Sequence, residues 1–282
     1  MTAHAAARAA PIPVARTGVP EPGWDGRLVS MGGHFLQSRA WARCQQRMGA
    51  QIFHAEAAQW MWLGLIRQVG VFRRLYLPYG PQADNTDALC SALRVAFVCA
   101  RVHGCHFVQF EPLGPATLEP RRCRARRVRS RQAEYTRVIR LDVDESELRA
   151  GLSKGHRSAI TAAARKEVVV EPSTSSESLD EFLAMMRETS TRTGMPRHGD
   201  AYYRAIVDEL TPAGEATLYV ARHSRRTIGA AIVLDFGGTR YYAFAGSASD
   251  DEARKLGPGP PLVWRAMLDA RAAGARCFDF WG

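Results

Sequence analysis

The chain has 282 residues, a hydrophobic content of 46% and a formal net charge of +10. This length allows two globular domains with cores of their own, and no apolar run is long enough to span a membrane. The excess of arginine over acidic residues favours an acidic partner.

The beginning of the chain predicts a disordered tail over residues 1–27. The tail is rich in Ala, Arg and Pro and lacks the continuous apolar core of a signal peptide, so we expect a cytoplasmic protein. The chain contains six cysteines and no Cys-x-x-Cys pair. This spacing is typical of reduced thiols in the cytosol.

Residues 28–120 predict a first α/β domain. Its expected elements are a helix over 35–48, strands over 51–57, 60–68 and 71–77, a helix over 86–103 and a strand over 105–111. Cys105 and His106 are adjacent in the last strand, and neighbours on a strand point to opposite faces. This favours a buried strand over a metal site.

An arginine-rich segment follows at residues 121–133. Seven arginines stand between Pro120 and Gln132 without apolar periodicity. One interpretation is a solvated connector between domains. The other is an arm that tracks phosphates, because each cation that neutralises a phosphate releases a counterion. The net charge favours the arm.

Residues 134–282 predict a second α/β domain. Its expected elements are a strand over 135–141, helices over 145–152 and 154–166, a strand over 168–171, helices over 178–193 and 201–210, an antiparallel meander over 218–222, 228–234 and 240–246, a helix over 262–270 and a strand over 277–280. The order of strands, helix and strand at its end repeats that of the first domain.

The repeat is visible in the residues themselves. At one constant offset, pairs of the two domains coincide at turn glycines and strand aromatics: Phe53 with Tyr219, Ala55 with Ala221, Arg74 with Arg240, Tyr76 with Tyr242 and Gly80 with Gly246. We therefore expect one α/β unit used twice.

No motif of a self-evident catalytic framework is present: the sequence has no Gly-x-Ser-x-Gly elbow, no His-Glu-x-x-His and no Walker loop. A Gly-rich turn at residues 254–261 fits the Arg-x-x-Gly-x-Gly pattern with which acetyltransferases hold the diphosphate of coenzyme A on backbone N–H groups. Pro258, Pro260 and Pro261 have no N–H to donate, which argues against that use.

Several motifs in order resemble the FemABX family. They are Phe35-Leu36-Gln37-Ser38-x-x-Trp41, Tyr76-x-x-Tyr79-Gly80-Pro81-x-x-Asp84, Arg157-x-x-Ile160-x-x-Ala163, Tyr202-Tyr203, Tyr241-Tyr242 and Gly274-x-x-x-x-Asp279-Phe280-x-Gly282. The resemblance implies an α/β fold of tandem acetyltransferase-like (GNAT) domains, each with a mixed sheet flanked by helices. It implies transfer of an amino acid from aminoacyl-tRNA, as co-substrate and without a cofactor, to the amine of a peptide.

The resemblance also suggests roles for particular residues. We expect Lys255 and Asp84 at the reacting groups. The acceptor would be bound by Gln37, Trp41, Tyr79, Arg197, Tyr202, Tyr203 and Tyr242, and the tRNA by Arg124, Arg126, Arg127, Arg157, Arg165 and Arg254. The alternative for the tyrosines is packing, for Arg197 a surface charge and for Asp84 a turn cap.

Departures from the family bear on the acceptor. Relatives that bind nucleotide-linked peptidoglycan precursors carry Lys where this chain has Gln45, and several carry Arg where it has Tyr79. Two missing cations weaken the case for a diphosphate, so we expect a peptide intermediate of a small antibiotic instead. Relatives also continue into a Phe-Lys segment beyond the position of Gly282.

Three alternatives stay open at the level of sequence. The chain could form peptidoglycan interpeptide bridges, it could be an acyl-coenzyme A N-acetyltransferase, or it could be a non-catalytic RNA-binding module. The sequence leaves the oligomeric state open and favours a monomer.

Overall fold

The computed structural model describes residues 14–113 and 119–281. The chain divides into two compact units, Met1–Ala42 with Gly49–Arg129 and Arg43–Met48 with Ser130–Gly282. Among the described residues, no helix is long and apolar enough to cross a membrane.

Part of the predicted tail is ordered, which corrects the expectation for residues 14–27. Strand β1 (Arg16–Thr17) pairs with the first long strand, and helix α1 (Trp24–Ser30) buries Trp24 and Leu28. The Trp24 indole donates a 2.7 Å hydrogen bond to the carbonyl of Gln37. Two apolar anchors thus hold a segment whose prolines suggested disorder, while residues 1–13 lie outside the described part.

The first unit contains the elements that the sequence predicts. After a 3-10 turn at Phe35–Gln37, they are α2 (Arg39–Arg47), β2 (Gln51–Ala57), β3 (Trp60–Val69), β4 (Phe72–Leu77), β5 (Gln82–Ala83), α3 (Thr86–Val102) and β6 (Phe107–Phe110). The strand order is β1-β2-β3-β4-β6, antiparallel except for β4 and β6. Strand β6 lies at an edge and Phe107 is 41% exposed, so the expectation of a buried strand is wrong.

A disulfide between Cys90 and Cys123 overturns the expectation that all six cysteines are reduced. Cys90 lies near the start of α3, and Cys123 lies in a 3-10 turn at Pro120–Cys123. The sequence gives no sign of this pair, because contact between the turn and α3 is a property of the folded chain.

The second unit repeats the plan with more helices. Its elements are β7 (Val138–Arg140), α4 (Glu145–Ala150), α5 (Lys154–Arg165), β8 (Val169–Ser173), α6 (Ser176–Thr193), α7 (Asp200–Leu210), β9 (Ala216–His223), β10 (Arg226–Phe236), β11 (Thr239–Ser247), α8 (Asp251–Leu256), α9 (Gly259–Ala272) and β12 (Cys277–Asp279). The strand order is β7-β12-β11-β10-β9-β8, with β11 and β12 parallel. Helix α8, capped by Asp250, is not predicted by the sequence.

The two sheets confirm the internal repeat. The run β2-β3-β4-β6 of the first sheet corresponds to β9-β10-β11-β12 of the second, and α3 corresponds to α9. Arg74 and Arg240 occupy the same place and are 7% and 6% exposed. Arg240 is paired with Asp235, and Arg74 donates to Gln109, so each buried guanidinium has a partner.

Candidate active site

Strand β12 ends beside the middle of β11. The pairing of the two strands ends at Tyr241 and Asp279, although β11 continues to Ser247. On the other side of β11 a bulge occurs, since Phe244 pairs with Ile232 and Tyr242 with Val233, which leaves Ala243 without a partner on β10. A bulge re-aims side chains and leaves backbone groups outside the ladder.

Aromatic side chains cluster beside the part of β11 that β12 does not pair with. The rings of His198 and Tyr202 stack with centroids 3.8 Å apart, and Phe244 meets Tyr202 edge to face at 5.9 Å. Trp281 lies 6.0 Å from Phe244, and Tyr203 packs beneath at 5.1 Å. Exposure rises from buried Tyr203 to half-buried Tyr202 and exposed His198, so the cluster has a base in the core and an accessible face.

Tyr242 stands beside this cluster on β11. Its ring packs between Phe278 and Phe280, with centroids 6.2 and 6.1 Å away. Burial raises the pKa of the Tyr242 phenol to about 12. The hydroxyl is therefore a neutral hydrogen-bond donor at physiological pH.

Arg197 and the two neighbouring tyrosines lie at the start of α7. Arg197 donates to Asp200 Oδ1 at 2.8 Å, and Arg187 donates to Asp200 Oδ2 at 2.6 Å. The Tyr203 hydroxyl accepts a 3.3 Å hydrogen bond from the His198 amide, and its pKa is raised by burial. The structure thus brings Arg197, Tyr202 and Tyr203 together, and it gives Tyr203 a packing role.

Gln37 has a structural role in the first unit, which corrects its assignment to the acceptor. It is 0% exposed, and its Nε2 donates to the carbonyls of Leu63 (2.9 Å) and Pro78 (2.7 Å). Its Oε1 accepts from the Leu63 amide at 2.7 Å. A Cβ at Gly80 would lie 2.6 Å from this Oε1. The side chain therefore joins two strands and cannot reach a ligand.

Of the other residues predicted for the site in the first unit, two are buried, and one is exposed but does not cap a helix. Trp41 is 5% exposed and packs edge to face on Phe35, which corrects its assignment to the acceptor in favour of packing. Tyr79 is 9% exposed, has a φ of 46° and lies against His34. Asp84 is exposed, but the cap of α3 is Asn85.

The basic residues of the second unit fall into two groups. Arg157 is bound to the carbonyls of Ala150 and Leu152 and thereby joins α4 to α5, so its guanidinium is already used. Arg165 and Lys166 extend from α5 beside a shallow depression of about 430 Å³. No acidic residue occurs within α5.

Near the Gly-rich turn, Lys166 Nζ donates a 2.7 Å hydrogen bond to the carbonyl of Lys255, which links α5 to the end of α8. The Lys255 side chain itself is exposed. Arg254 donates to the Ser249 carbonyl and lies 3.7 Å from Asp251.

Comparisons with known proteins relate this geometry to a fold. Residues 146–282 match the family model described as an acetyltransferase (GNAT) domain. FemX superposes with a TM-score of 0.76 at 17% identity, over 92% of this chain and 87% of that one. Both units have the GNAT fold. A search of curated protein sequences finds no match.

Two other solved structures with this fold are similar over most of the chain. The C-terminal DUF2156 domain of an Agrobacterium fabrum protein has a TM-score of 0.58 at 15% identity and covers 90% of this chain and 75% of that one. L-PGS from Bacillus licheniformis has a TM-score of 0.56 at 13% identity, with coverage of 93% and 78%.

The Gly-rich turn that fits the coenzyme A pattern lies at the N-terminus of α9. Pro260 and Pro261 occupy the first turn of α9, and Pro258 packs against Gly229. The Gly257 amide is bonded to the Ala253 carbonyl at 3.0 Å. Between residues 257 and 261, only the Gly259 N–H is left for a ligand.

The sequence did not point to three residues of the aromatic cluster, His198, Phe244 and Trp281. Their contacts depend on the end of β12 beside β11 and on the placement of α7 next to them. The paired tyrosines were the only part of this cluster with a sequence signal.

Proposed function

We propose that the chain is an aminoacyltransferase, which moves an amino acid from aminoacyl-tRNA to the free amine of a small peptide. The observation that carries the proposal is the start of α9, where prolines remove the N–H donors that a coenzyme A diphosphate needs. A GNAT fold without this cradle requires another activated acyl donor. The similarity to FemX over most of the chain supports the same choice.

The chemistry asks little of the side chains. An aminoacyl ester is already activated, and an α-amine of pKa about 7.7–8.0 is partly neutral near pH 7. The amine attacks the ester carbonyl, the amide bond forms as the bond to the tRNA ribose oxygen breaks, and the amine proton passes to that oxygen or to solvent. Alignment and stabilisation of the oxyanion supply the rate.

We place the reaction beside the part of β11 that β12 does not pair with, because this part has groups for these tasks. Tyr242 is a neutral donor, and the backbone around Ala243 lies outside the ladder with β10. Lys255 and Asp84 stay candidates for the reacting groups, Lys255 because its exposed ammonium lies on the last turn of α8. We assign oxyanion stabilisation to the bulge and Tyr242.

Basic residues supply the means to bind tRNA. Arg165 and Arg254 are exposed on α5 and α8, and Arg124, Arg126 and Arg127 are exposed in the arginine-rich segment. Phosphate contacts of this kind predict affinity that falls steeply with salt.

The aromatic cluster suits an uncharged acceptor better than a diphosphate. Its accessible face is aromatic, and the charge of Arg197 is opposed by Asp200 at 2.8 Å. Gln45 and Tyr79 stand where nucleotide-binding relatives hold cations. We therefore propose a peptide intermediate of antibiotic or other secondary metabolism, and a peptidoglycan precursor remains the alternative acceptor.

The test combines two acyl donors with one panel of amines. Radiolabelled aminoacyl-tRNA and acetyl-coenzyme A are each incubated with the protein and with dipeptide and tripeptide amines. We expect product from aminoacyl-tRNA that is abolished by RNase. Product that forms from acetyl-coenzyme A and survives RNase would instead assign the chain to the N-acetyltransferases, and tRNA binding without either product would favour an RNA-binding module.

A further inference from the structure

The Cys90–Cys123 disulfide joins the arginine-rich segment to helix α3. The two Cα atoms lie 4.9 Å apart, although the residues are separated by 33 positions in sequence. The bond is thus a long-range link between the second turn of α3 and the 3-10 turn with which the arginine-rich segment begins.

Other contacts at this place are weak. The Glu119 amide donates to Thr86 Oγ1 at 3.1 Å, and Cys123 Sγ lies 4.0 Å from the Thr86 carbonyl. Arg122 and Asp87 are 3.4 Å apart, but their side chains are 57% and 86% exposed. An exposed ion pair contributes little, and the disulfide adds a covalent restraint to the packing of Cys123 against the core of the first unit.

The pair differs from the other cysteines in its surroundings. Cys44 and Cys99 are buried, and burial raises the pKa of their thiols to about 12 and about 11. Cys90 and Cys123 are instead half-buried, so an external thiol can reach their disulfide.

Two of the arginines that follow have no polar side-chain contact among the described residues. Arg124 has a φ of 58°, and the side chains of Arg124 and Arg126 form no hydrogen bond or ion pair within residues 14–113 and 119–281. The order of the turn at Pro120–Cys123 therefore decides how far these side chains range before a polyanion binds.

We propose that Cys90–Cys123 is a reversible redox clip, which orders the start of the arginine-rich segment for polyanion binding. In reduction, the thiolate of an external dithiol attacks Cys90 Sγ, and Cys123 leaves as a thiolate. The second thiol of the dithiol then releases Cys90, so two electrons pass to the protein and the dithiol becomes a disulfide. Oxidation is the reverse exchange with a disulfide of the same class.

The clip acts through entropy. A segment that is ordered before binding loses less conformational freedom when it binds, so the oxidised form has the higher affinity. We expect polyanion affinity to fall about three- to tenfold on reduction, which corresponds to the cost of ordering about one arginine side chain. The expected change in polyanion affinity rests on the function proposed above, whereas the ordering of the turn does not.

Hydrogen exchange in the full chain tests whether the disulfide orders the turn. The amides of Arg122 and Arg124 donate to the carbonyls of Glu119 and Arg121, each at 3.0 Å. Their exchange should accelerate by more than about tenfold on reduction with a phosphine, since a cross-link restricts local opening. Cys90→Ser and Cys123→Ser should show the fast exchange without reductant, and Cys277→Ser, at a half-buried free thiol, should not.

Two results would overturn the clip. One is equal exchange of these amides in both redox states. The other is a count of six free thiols after incubation with an oxidised dithiol, which would show that the bond does not form.

Binding of deacylated tRNA in both redox states tests whether the disulfide changes polyanion affinity. If exchange accelerates but the dissociation constant changes less than twofold, the disulfide is structural and the regulatory role is wrong. A redox effect on both measurements in a protein that shows no aminoacyl transfer would support the clip and count against the proposed reaction alone.

Discussion

The main-chain amide of Trp281 donates a 2.7 Å hydrogen bond to Oδ1 of Asp279. Trp281 has a φ of 47°, a backbone conformation that is uncommon for a bulky residue. The Thr136 hydroxyl lies within hydrogen-bonding distance of both Asp279 and the Trp281 carbonyl and has one proton to donate, so the turn at the end of β12 is held from two sides. The carboxylate thereby places the indole that closes the aromatic cluster beside Phe244.

Substitution of Asp279 should change acceptor binding more than turnover. Asp279→Ala removes a charged acceptor of two hydrogen bonds, each worth about 1.5–3 kcal/mol, and we expect KM for the acceptor amine to rise about tenfold. Asp279→Asn retains an acceptor oxygen and should restore KM to within about threefold. The measurement is steady-state kinetics with Asp142→Ala, an exposed carboxylate that follows β7 at the other end of its pairing with β12, as control. A positioning role would be contradicted if Asp279→Ala and Asp279→Asn changed kcat and KM to the same extent.

Gln37 should affect stability and leave acceptor specificity alone. Gln37→Ala leaves the Leu63 amide and the carbonyls of Leu63 and Pro78 buried without their partner. We expect the free energy of unfolding to fall by about 3 kcal/mol, as unsatisfied buried groups cost about 1–3 kcal/mol each. Urea unfolding measures this, and exposed Gln59→Ala should change it by less than about 0.5 kcal/mol. A variant of wild-type stability with weakened acceptor binding would return Gln37 to the site.

The outline of the fold could be predicted because it depends on local signals. The hairpins of β2 to β4 and β9 to β11 follow from apolar runs rich in β-branched and aromatic residues, with Gly-containing turns after β3 and β10 and short turns without Gly after β2 and β9. The order of α1 could not, since Trp24 and Leu28 are two anchors in a proline-rich stretch without periodicity. Nor could the disulfide, which needs the turn of Cys123 to lie on α3.

The candidate site was only partly predictable for the same reason. Tyr202, Tyr203 and Tyr242 were found as motif residues, whereas His198 and Trp281 enter through the geometry of separate elements. Gln37 shows the opposite error. A residue shared with a family motif was assigned to a ligand, although its hydrogen bonds serve the packing of two strands.

His34 should make the stability of the protein fall with acid. Burial lowers the pKa of His34 to about 3, against about 6.5 in an unfolded chain. The neutral form is favoured in the folded state, so this contribution is complete above pH 6.5 and is lost as pH falls from 6.5 towards 3. Each pH unit in that window costs about 1.4 kcal/mol for one proton.

The comparison variant is His34→Asn, whose side-chain oxygen can still accept from the Leu36 amide as Nδ1 of His34 does at 3.2 Å. Urea unfolding at pH 7, 6 and 5 should show a smaller loss for the variant than for the wild type. If stability falls with pH equally in the wild type and the variant, the pKa of His34 is the same in the folded and unfolded states.

The prolines at the start of α9 predict how the chain discriminates between acyl donors. Pro260→Ala with Pro261→Ala restores two N–H groups to the first turn of a helix, where anions are bound by such donors and by the helix dipole. We expect no heat of coenzyme A binding by the wild type at millimolar concentration, and measurable binding by the double variant, because two charge-assisted hydrogen bonds become available. Pro112→Ala, outside α9, serves as the control. Micromolar binding of coenzyme A by the wild type would show that the Gly259 N–H and side chains suffice for the diphosphate, and the argument against acetyl transfer would then fail at its first step.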